Sequence, residues 1–340
     1  MPQSKPLPAG KLPPRLLEQL LKSCAAPASS GVVLGPRYGE DAAVLETSGK
    51  LLVAKTDPIT FTADRIGWYA VNINANDLAT MGARPRWFLA TFLFPEKKTT
   101  DALVKKVFGE TLKACRALGI TLCGGHTEIT IGLDRPIIVG QMLGEVELDK
   151  LVRKERQRLG DQVILTKGVA IEGTAILALE KAHELRGRIA AKHLKHAQRL
   201  LSKPGISVVR DAQVAVAHGE VHAMHDPTEG GLLTGLVELA RAGRVGMRVW
   251  KEKIPVLHET RLLARLLGFD PLAMLASGAL LIVAGPRSAM RIVQALRRNR
   301  VAAQIIGEVC RPSDGITMVE NGRARPIRVP ESDEIARLLE

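Results

Sequence analysis

The stretch AVNINANDLATMGARP, residues 70–85, predicts a helix around which the rest of the chain is organised. Gly82 is a natural residue just after a helix end, and the proline that follows cannot continue the helix. Ile73, Asp77 and Met81 are spaced by four, so they share one helix face. Because an unpaired buried charge is very costly, the carboxylate between these apolar neighbours needs a partner if that face is buried.

A second stripe on the same helix carries uncharged hydrogen-bonding groups: Asn72, Asn76 and Thr80. Together the stripes indicate a helix that presents a carboxylate, flanked by amides, to an ion or a charged ligand. A solvated Asn/Asp face with Asp77 at its rim is the alternative, and spacing alone does not decide between the two.

The composition fits a chain of two domains, with 340 residues of which 46% are apolar. The longest apolar run, near residues 279–284, is too short to span a bilayer. The segment MPQSKPLPAGKLPP at the start lacks the apolar core of a signal peptide. The cysteines are scattered without a CxxC pair, so neither zinc nor a disulfide framework is expected, and a cytoplasmic location is predicted.

The chain is basic, with 48 Lys and Arg against 35 Asp and Glu and a formal charge of +13. Basic stretches can mark nucleic-acid binding. However, the basic stretch at residues 181–203 also carries an apolar stripe, which is typical of a solvated helix. Aromatic residues make up only 3% of the chain, which argues against a stacking platform for single strands. Nucleic acid is therefore not an expected partner.

The order of elements predicts two modules. A Pro-rich tail and a helix occupy residues 1–30, and a mixed α and β module follows at residues 31–149. Its predicted elements are strands at 51–56, 87–94, 121–123 and 135–146 and a long helix at 100–118. The charged segment DKLVRKERQRLGD, residues 149–161, marks the boundary to a second module, residues 150–340. The second module opens with the strand QVILTKG and the helix EGTAILALEKA.

Three carboxylates of the first module lie at ends or faces of elements. Asp41 follows a glycine loop, Asp57 ends a strand, and Asp77 lies on the helix. Carboxylate oxygens suit hard cations, and Mg²⁺ is usually held by one or two carboxylates plus substrate phosphates. Aspartate is also common in turns and caps, so each residue alone is weak evidence. The three together suggest a magnesium site.

The segment CGGHTEIT, residues 123–130, is more specific. Its glycines let the backbone approach a ligand closely. If residues 126–130 form a strand, His126 and Glu128 point to one face and Thr127 to the other. This arrangement fits a phosphate or metal contact beside a nucleotide. A simple Gly-Gly turn with a surface histidine is the alternative.

The segment HDPTEGGL, residues 225–232, offers a further carboxylate at a strand-to-helix junction. Asp226 precedes a proline, Thr228 can cap the helix, and Glu229 would lie in its first turn. Free amides at a helix start can also bind an anion, although capping alone would explain the pattern equally well. The chain has neither a Walker loop nor a kinase signature.

Taken in order, six motifs resemble the aminoimidazole-ribonucleotide-synthetase (AIR synthase, PurM-like) superfamily. They are GEDAAVL (39–45), TD (56–57), AVNINANDLATMGARP (70–85), GGHTE (124–128), HDPTEGGL (225–232) and ASGALLIVAG (276–285). That superfamily includes thiamine monophosphate kinase, selenophosphate synthetase and the hydrogenase maturation factor HypE. The resemblance spans about residues 30–320. It is closest to HypE through VNxxxNDLAxMGAxP, DPTxGGL, and IPV followed by LGFDPL.

The resemblance implies an α+β chain of two domains. The N-terminal domains of a homodimer would pair into a β-barrel-like core, with ATP in a cleft near that interface. It also implies ATP and Mg²⁺ as cofactors and an enzyme that transfers a phosphoryl group or dehydrates its acceptor. Residues implied near the nucleotide are Lys55, Thr56, Asn72, Gly124, Gly125, His126 and Thr127. The implied metal ligands are Asp41, Asp57, Asp77 and Glu128.

Asp226 could carry metal by position, and with Glu229 or His225 nearby it is also the best candidate for a general base. Thiamine kinases have Asp where His126 stands, so one metal position is either lost or taken by Glu128. HypE ends in a cysteine that carries the carbamoyl group, whereas this chain ends EIARLLE and its last cysteine, Cys310, lies 30 residues before the end.

The expected acceptor is therefore an unidentified small molecule or protein. HypE-type function with an atypical tail is one alternative, and a non-catalytic nucleotide-binding partner protein is another. The presence of all three aspartates in the first module favours an enzyme, because a scaffold would not need them.

Overall fold

The computed structural model describes residues 14–22, 31–35, 40–47, 50–60 and 64–339. Most of the predicted Pro-rich tail, Cys24 and the glycine before Asp41 lie outside these residues.

The first module contains three described helices and six described strands: α1 (Pro14–Lys22), β1 (Val32–Leu34), β2 (Ala43–Thr47), β3 (Lys50–Ile59), α2 (Ile66–Thr80), β4 (Arg84–Pro95), α3 (Asp101–Leu118), β5 (Thr121–Thr130) and β6 (Ile137–Val146). The second contains β7 (Gln162–Thr166), α4 (Ile171–Glu180), α5 (Ala182–Leu185), α6 (Ala191–Gln198), α7 (Val209–His218), β8 (Ala223–His225), α8 (Gly231–Gly243), β9 (Gly246–Trp250), α9 (His258–Leu267), β10 (Leu281–Ala284), α10 (Pro286–Arg298), β11 (Ala303–Cys310), β12 (Ile316–Glu320), β13 (Arg323–Pro326) and α11 (Glu334–Leu339).

Each module is built on one mixed sheet. The first sheet has six strands in the order β1-β2-β3-β6-β4-β5, and β5 runs parallel to β4 at the edge. The second has seven strands in the order β13-β12-β9-β11-β7-β10-β8. This is the predicted α+β architecture of two modules.

Helix α2 packs on the first sheet against β3 and β6 and also contacts α3 and α7. It begins four residues before the predicted start and ends as predicted, with Gly82 at φ +76°. A Cβ at Gly140 of β6 would overlap the amide of Asn74, so that glycine permits the close approach. Asn76 and Asp77 are only 0% and 7% exposed, so the alternative of a solvated Asn/Asp face is wrong.

The amide of Asn76 joins the two modules. Its Nδ2 donates to the carbonyl oxygen of Ile206 (2.9 Å), and its Oδ1 accepts from the backbone N–H of Val208 (2.8 Å). One buried apolar cluster likewise contains residues of both modules. Asn76 therefore fixes the segment before α7 against the helix that carries Asp77.

The Gly-Gly pair of CGGHTEIT lies inside a strand. The predicted short strand at residues 121–123 continues to Thr130 as β5, so the Gly-Gly turn of the alternative is wrong. The surface histidine of that alternative is confirmed, because His126 is exposed. A Cβ at Gly125 would overlap the carbonyl oxygen of Ala90 on β4. The predicted helix at 100–118 is confirmed, and Thr100 caps it by accepting from the N–H of Leu103.

Candidate active site: an acidic cluster between the two modules

An acidic cluster lies between the two modules and has three parts. Alternation of side chains along β3 brings the first part together, which consists of Lys55, Asp57 and Asp77. Leu51 and Val53 are buried, so Lys55 and Asp57, which share their parity, point to the same side of the sheet, toward α2. Lys55 Nζ lies 2.8 Å from Oδ2 of Asp77 and 3.4 Å from Oδ2 of Asp57. The partner that the buried carboxylate of α2 needs is therefore Lys55.

The second part of the cluster surrounds Asp41, just before β2. Asp41 Oδ2 accepts from Thr80 Oγ1 on α2 (3.0 Å) and from Nζ of Lys154 (2.7 Å). Lys154 lies in the connector between the modules, and its side chain is 2% exposed. Asp41 is thus held by both the first module and the connector.

The end of β8 supplies the third part. His225 Nδ1 lies 3.2 Å from Asp41 Oδ1, and its Nε2 lies 2.9 Å from Oε2 of Glu238 on α8. The next residue, Asp226, is 2% exposed, and its Oδ2 makes no hydrogen bond. The strand-to-helix junction therefore places the carboxylate of Asp226 in the buried cluster.

The donor atoms of this cluster suit a hard cation. Among the described residues, Asp41, His225 and Asp226 form a group whose ligand atoms lie within 4.8 Å of one another. The buried Oδ2 atom of Asp226 makes no hydrogen bond within the chain, whereas Oδ2 of Asp77 is paired with Lys55. Carboxylate oxygens are the usual ligands of Mg²⁺, so Asp41 and Asp226 of this group fit magnesium.

The pKa values show how the charges are distributed. Burial would raise the pKa of Asp41, but the Lys154 ammonium and the His225 imidazole outweigh burial and hold it below its usual range. Burial and Lys154 lower the pKa of His225, whereas Asp41 and Glu238 raise it, to about 9 overall. Burial, with the neighbouring carboxylates, raises the pKa of Asp77 to about 6 and that of Asp226 well above its usual value. A bound cation would favour the ionised form of Asp226.

The side chains of two residues predicted to contact the nucleotide, Thr56 and Asn72, do not point toward the acidic cluster. Thr56 lies on the opposite side of β3 from Lys55, and its Oγ1 donates to the carbonyl oxygen of Gly140 (2.9 Å). Asn72 is buried, and its Nδ2 donates to the carbonyl oxygen of Trp68 one helical turn earlier (2.9 Å).

The GGHTE residues lie apart from the cluster within one chain. Four residues stand in register across neighbouring strands: Asp57 on β3, Gly140 on β6, Ala90 on β4 and Gly125 on β5. Three strand spacings therefore separate Gly125 from Asp57, a distance of about 14 Å. The side chains of His126, Thr127 and Glu128 are exposed.

His126 Nε2 lies 3.4 Å from Glu128 Oε2, as expected for two residues on one face of a strand. Gly124 is likewise exposed at the sheet edge. Within one chain, Glu128 is therefore not positioned beside Asp41.

The capping prediction for Thr228 and Glu229 is wrong. Helix α8 starts at Gly231, and its N-cap, Gly230, has φ +73° and no side-chain cap. The N–H of Gly230 instead donates to Asp333 Oδ2 (2.7 Å), from the segment before α11. Glu229 therefore belongs to the loop before the helix, where its charge and that of Asp333 act on the buried Glu172.

Sequence reasoning missed Lys154 and Glu238. Lys154 lies in the charged segment that the sequence analysis interpreted only as the boundary between the modules. The apolar residues Leu151 and Val152 nearby indicate that part of this segment is buried. Glu238 is the one acid in the apolar helix sequence GLLTGLVELA, residues 231–240, and that isolation could have identified it.

The chain matches two family models in sequence order. Residues 39–146 match the N-terminal domain of AIR synthase related proteins, and residues 158–319 match their C-terminal domain. The chain belongs to the AIR synthase related protein family. The predicted superfamily and α+β fold class are confirmed.

Several relatives carry names from hydrogenase maturation. The carbamoyl dehydratase HypE of Cupriavidus necator is 31% identical over 287 residues, covering 80% of this chain and 77% of that protein. A protein of Methanocaldococcus jannaschii named for hydrogenase expression and formation is 28% identical and covers 97% of both chains. A selenide, water dikinase of Pelobacter propionicus is 26% identical, covering 88% of this chain and 92% of that protein. The relatives confirm the prediction that the chain is an enzyme of this superfamily and is similar to HypE.

The crystal structure of a hydrogenase maturation protein HypE in complex with ATP superposes with a TM-score of 0.72. It is 25% identical, and the match covers 87% of this chain and 89% of that one. Within the residues described above, no helix combines the length and apolarity needed to cross a membrane.

Proposed function

We propose that the chain binds Mg²⁺-ATP at the acidic cluster and uses it to activate an oxygen of an acceptor by phosphoryl transfer. The observation that carries this proposal is the set of buried aspartates gathered from both modules, with an unpaired oxygen on Asp226. The superposable HypE structure that contains ATP supports the choice of nucleotide. Magnesium held there would offset the charge of the phosphates.

The position of each residue in the cluster suggests its role in this reaction. Asp41, Asp57, Asp77 and Asp226 offer oxygens to the metal, and Lys55 lies where it can contact a phosphate. The His225 imidazole, between Asp41 and Glu238, orients the Asp41 carboxylate. Asp226, with a raised pKa, is the candidate acceptor for the proton that the acceptor group loses on transfer.

The acceptor class follows from the relatives. HypE of Cupriavidus necator is named a carbamoyl dehydratase, so we propose a carboxamide or carbamoyl oxygen as the group that receives the phosphoryl. Transfer would break the bond between the γ-phosphorus and the β–γ bridging oxygen of ATP, form a P–O bond to the carboxamide oxygen, release ADP and pass one amide proton to the base. Later loss of phosphate, together with the second amide proton, would leave a nitrile and complete the dehydration. The carrier of that group is either a small molecule or a partner protein.

We propose a homodimer formed through the outer face of the first sheet and strand β5. An edge strand with exposed apolar side chains favours pairing with another chain. On and just beyond β5, Ile129 and Ile131 are 59% and 80% exposed. Pairing there would give His126, Thr127 and Glu128 a route to the nucleotide of the second subunit. Light scattering of the purified chain tests this assembly, and a monomer at micromolar concentration would contradict it.

Calorimetric titration with a non-hydrolysable ATP analogue, with and without Mg²⁺, tests the nucleotide proposal. We expect Mg²⁺-dependent binding at about micromolar strength, roughly −8 kcal/mol. Asp226→Asn should weaken it at least tenfold, whereas Asp314→Asn on the exposed surface should not. Binding without subsequent turnover of carbamoyl or carboxamide acceptors would favour a non-catalytic nucleotide-binding protein. Absence of binding in both conditions would overturn the proposal.

A further inference from the structure

Lys154 is a buried cation at the centre of the carboxylate cluster. Its Nζ donates to Asp41 Oδ2 at 2.7 Å and lies 3.3 Å from His225 Nδ1, and its side chain is 2% exposed. Asp41 is one of the residues whose ligand atoms are grouped closely enough to hold a metal. The ammonium group and a metal ion at this group therefore compete for the same carboxylate.

The backbone at Lys154 is fixed, so only its side chain can respond. The carbonyl oxygen of Lys154 accepts from Gln157 Nε2 (3.0 Å), which also donates to the carbonyl oxygen of Leu239 on α8 (2.9 Å). Arg156 donates to the carbonyl oxygen of Leu151 and closes the turn. The flexible methylene stem leaves Nζ as the part of Lys154 that can change partners.

A metal ion alone would leave this lysine in an unfavourable state. Taking Asp41 from Lys154 would leave a buried ammonium without its strongest counterion, and removing one partner of a buried ion pair is strongly destabilising. Water cannot substitute readily, because the side chain is almost fully buried. The nucleotide phosphates are the anions that would arrive together with the metal.

We propose that Lys154 exchanges Asp41 for a phosphate oxygen when Mg²⁺-ATP binds, and that this exchange makes metal and nucleotide binding mutually dependent. The inference rests on the proposed function of the cluster. Since Lys154 belongs to the connector, the exchange links nucleotide occupancy to the segment between the modules. Lys154 is thus a phosphate-binding residue in the loaded state and the counterion of Asp41 in the empty state.

A calorimetric cycle on the full chain tests this exchange. Four titrations are made for wild type and for Lys154→Met. Mg²⁺ and the non-hydrolysable ATP analogue are each titrated alone, and each is then titrated into protein that already contains the other. In wild type, each ligand should tighten the other at least tenfold, by an equal factor because coupling is reciprocal. In Lys154→Met, Mg²⁺ alone should bind more tightly, the nucleotide more weakly, and the coupling factor should fall toward one.

In Lys154→Met the affinity for Mg²⁺ should rise while the affinity for the nucleotide falls. These opposite changes distinguish exchange from a merely structural role, because loss of a structural contact would weaken the binding of both ligands. Lys150→Met is the matched control, because Lys150 lies in the same connector with its side chain 50% exposed, and it should leave the cycle unchanged. If Lys154→Met does not fold, Lys154→Gln keeps a hydrogen-bond donor for Asp41 without the charge and should show the same pattern.

An unchanged coupling factor in both Lys154 variants would overturn the proposal. Independent binding of metal and nucleotide by wild type would also overturn it, while leaving the proposed function in place. No binding of the nucleotide to wild type under any condition would instead mean that the proposed function itself fails.

Discussion

The Nε2 atom of His225 lies 2.9 Å from Oε2 of Glu238, so an acid of α8 holds the imidazole that contacts Asp41. The Glu238 side chain is only 13% exposed, and hydrogen bonds between charged groups in such surroundings are among the stronger ones. Glu238, a residue outside the sequence motifs, therefore supports the carboxylate of GEDAAVL through His225.

We expect Glu238→Gln to lower the free energy of unfolding at pH 7 by about 1–3 kcal/mol, because the buried imidazolium loses a charged partner. Urea denaturation followed by circular dichroism measures the change. Glu308→Gln is the control, since its pair with Arg248 is more exposed and a surface ion pair contributes about 0–1 kcal/mol. Equal stabilities of wild type and Glu238→Gln would show that the His225–Glu238 contact contributes nothing.

The sequence predicted the aspartates of the site better than their partners. Asp41, Asp57, Asp77 and Asp226 stand beside strand ends or on a recognisable helix, so local patterns identify them. Their assembly depends on pairing between distant segments, and the resemblance to the superfamily was needed to predict it. Lys154 was missed because a lysine in a charged connector is ordinarily solvated, and the nearby apolar Leu151 and Val152 indicate burial of the segment but not the partner of the lysine.

Two further differences between the sequence-based expectations and the structure, at β5 and at the start of α8, have physical reasons. The sequence CGGHTEIT cannot show that β5 is an edge strand, because strand order is a property of the whole sheet. Helix α8 starts at Gly231, not just after Thr228, and the N–H of its N-cap, Gly230, donates to the side chain of Asp333, a residue more than a hundred positions later that no local pattern connects to this helix.

Asp77→Asn should abolish measurable Mg²⁺-ATP binding while the fold is kept. The amide keeps the shape of the side chain, and Lys55 retains Asp57 at 3.4 Å, so no buried cation is left without an anion. We expect at least a hundredfold loss of affinity by calorimetry with no loss of circular dichroism signal. Asp314→Asn serves again as the control. Wild-type affinity in Asp77→Asn would remove Asp77 from the metal site.

Glu172 should make the protein less stable as the pH rises. Burial, together with the charges of Asp333 and Glu229, raises its pKa from 4.5 to about 7, despite a hydrogen bond with Ser277. Between those values the folded chain holds more protons than the unfolded chain, so stability falls as pH increases across this window. The contribution of this one group is at most about 3 kcal/mol.

Comparison of urea denaturation at pH 5 and pH 8 checks this expectation for Glu172. Glu172→Gln keeps a group that can bond Ser277 and carries no charge, so its stability should change less than that of wild type between the two pH values. Glu320→Gln, on the surface, should retain the wild-type dependence. Identical pH dependence in wild type and Glu172→Gln would mean that Glu172 is not protonated in the folded chain at neutral pH.

Asn76→Ala should show how much the amide of Asn76 contributes to the contact between the two modules. The substitution leaves the carbonyl oxygen of Ile206 and the N–H of Val208 without their bonds in a buried contact, which costs about 2–4 kcal/mol in unfolding free energy. Gln213→Ala, on the exposed side of α7, should change it by less than about 0.5 kcal/mol.

Because Asn76 adjoins Asp77, looser contact between the modules should also weaken Mg²⁺-ATP binding in Asn76→Ala. Limited proteolysis should then cut the segment near Ile206 faster in the variant than in wild type, and bound Mg²⁺-ATP should slow that cleavage. Equal cleavage rates in the variant and wild type would show that the segment before α7 is held by the apolar cluster rather than by the Asn76 amide.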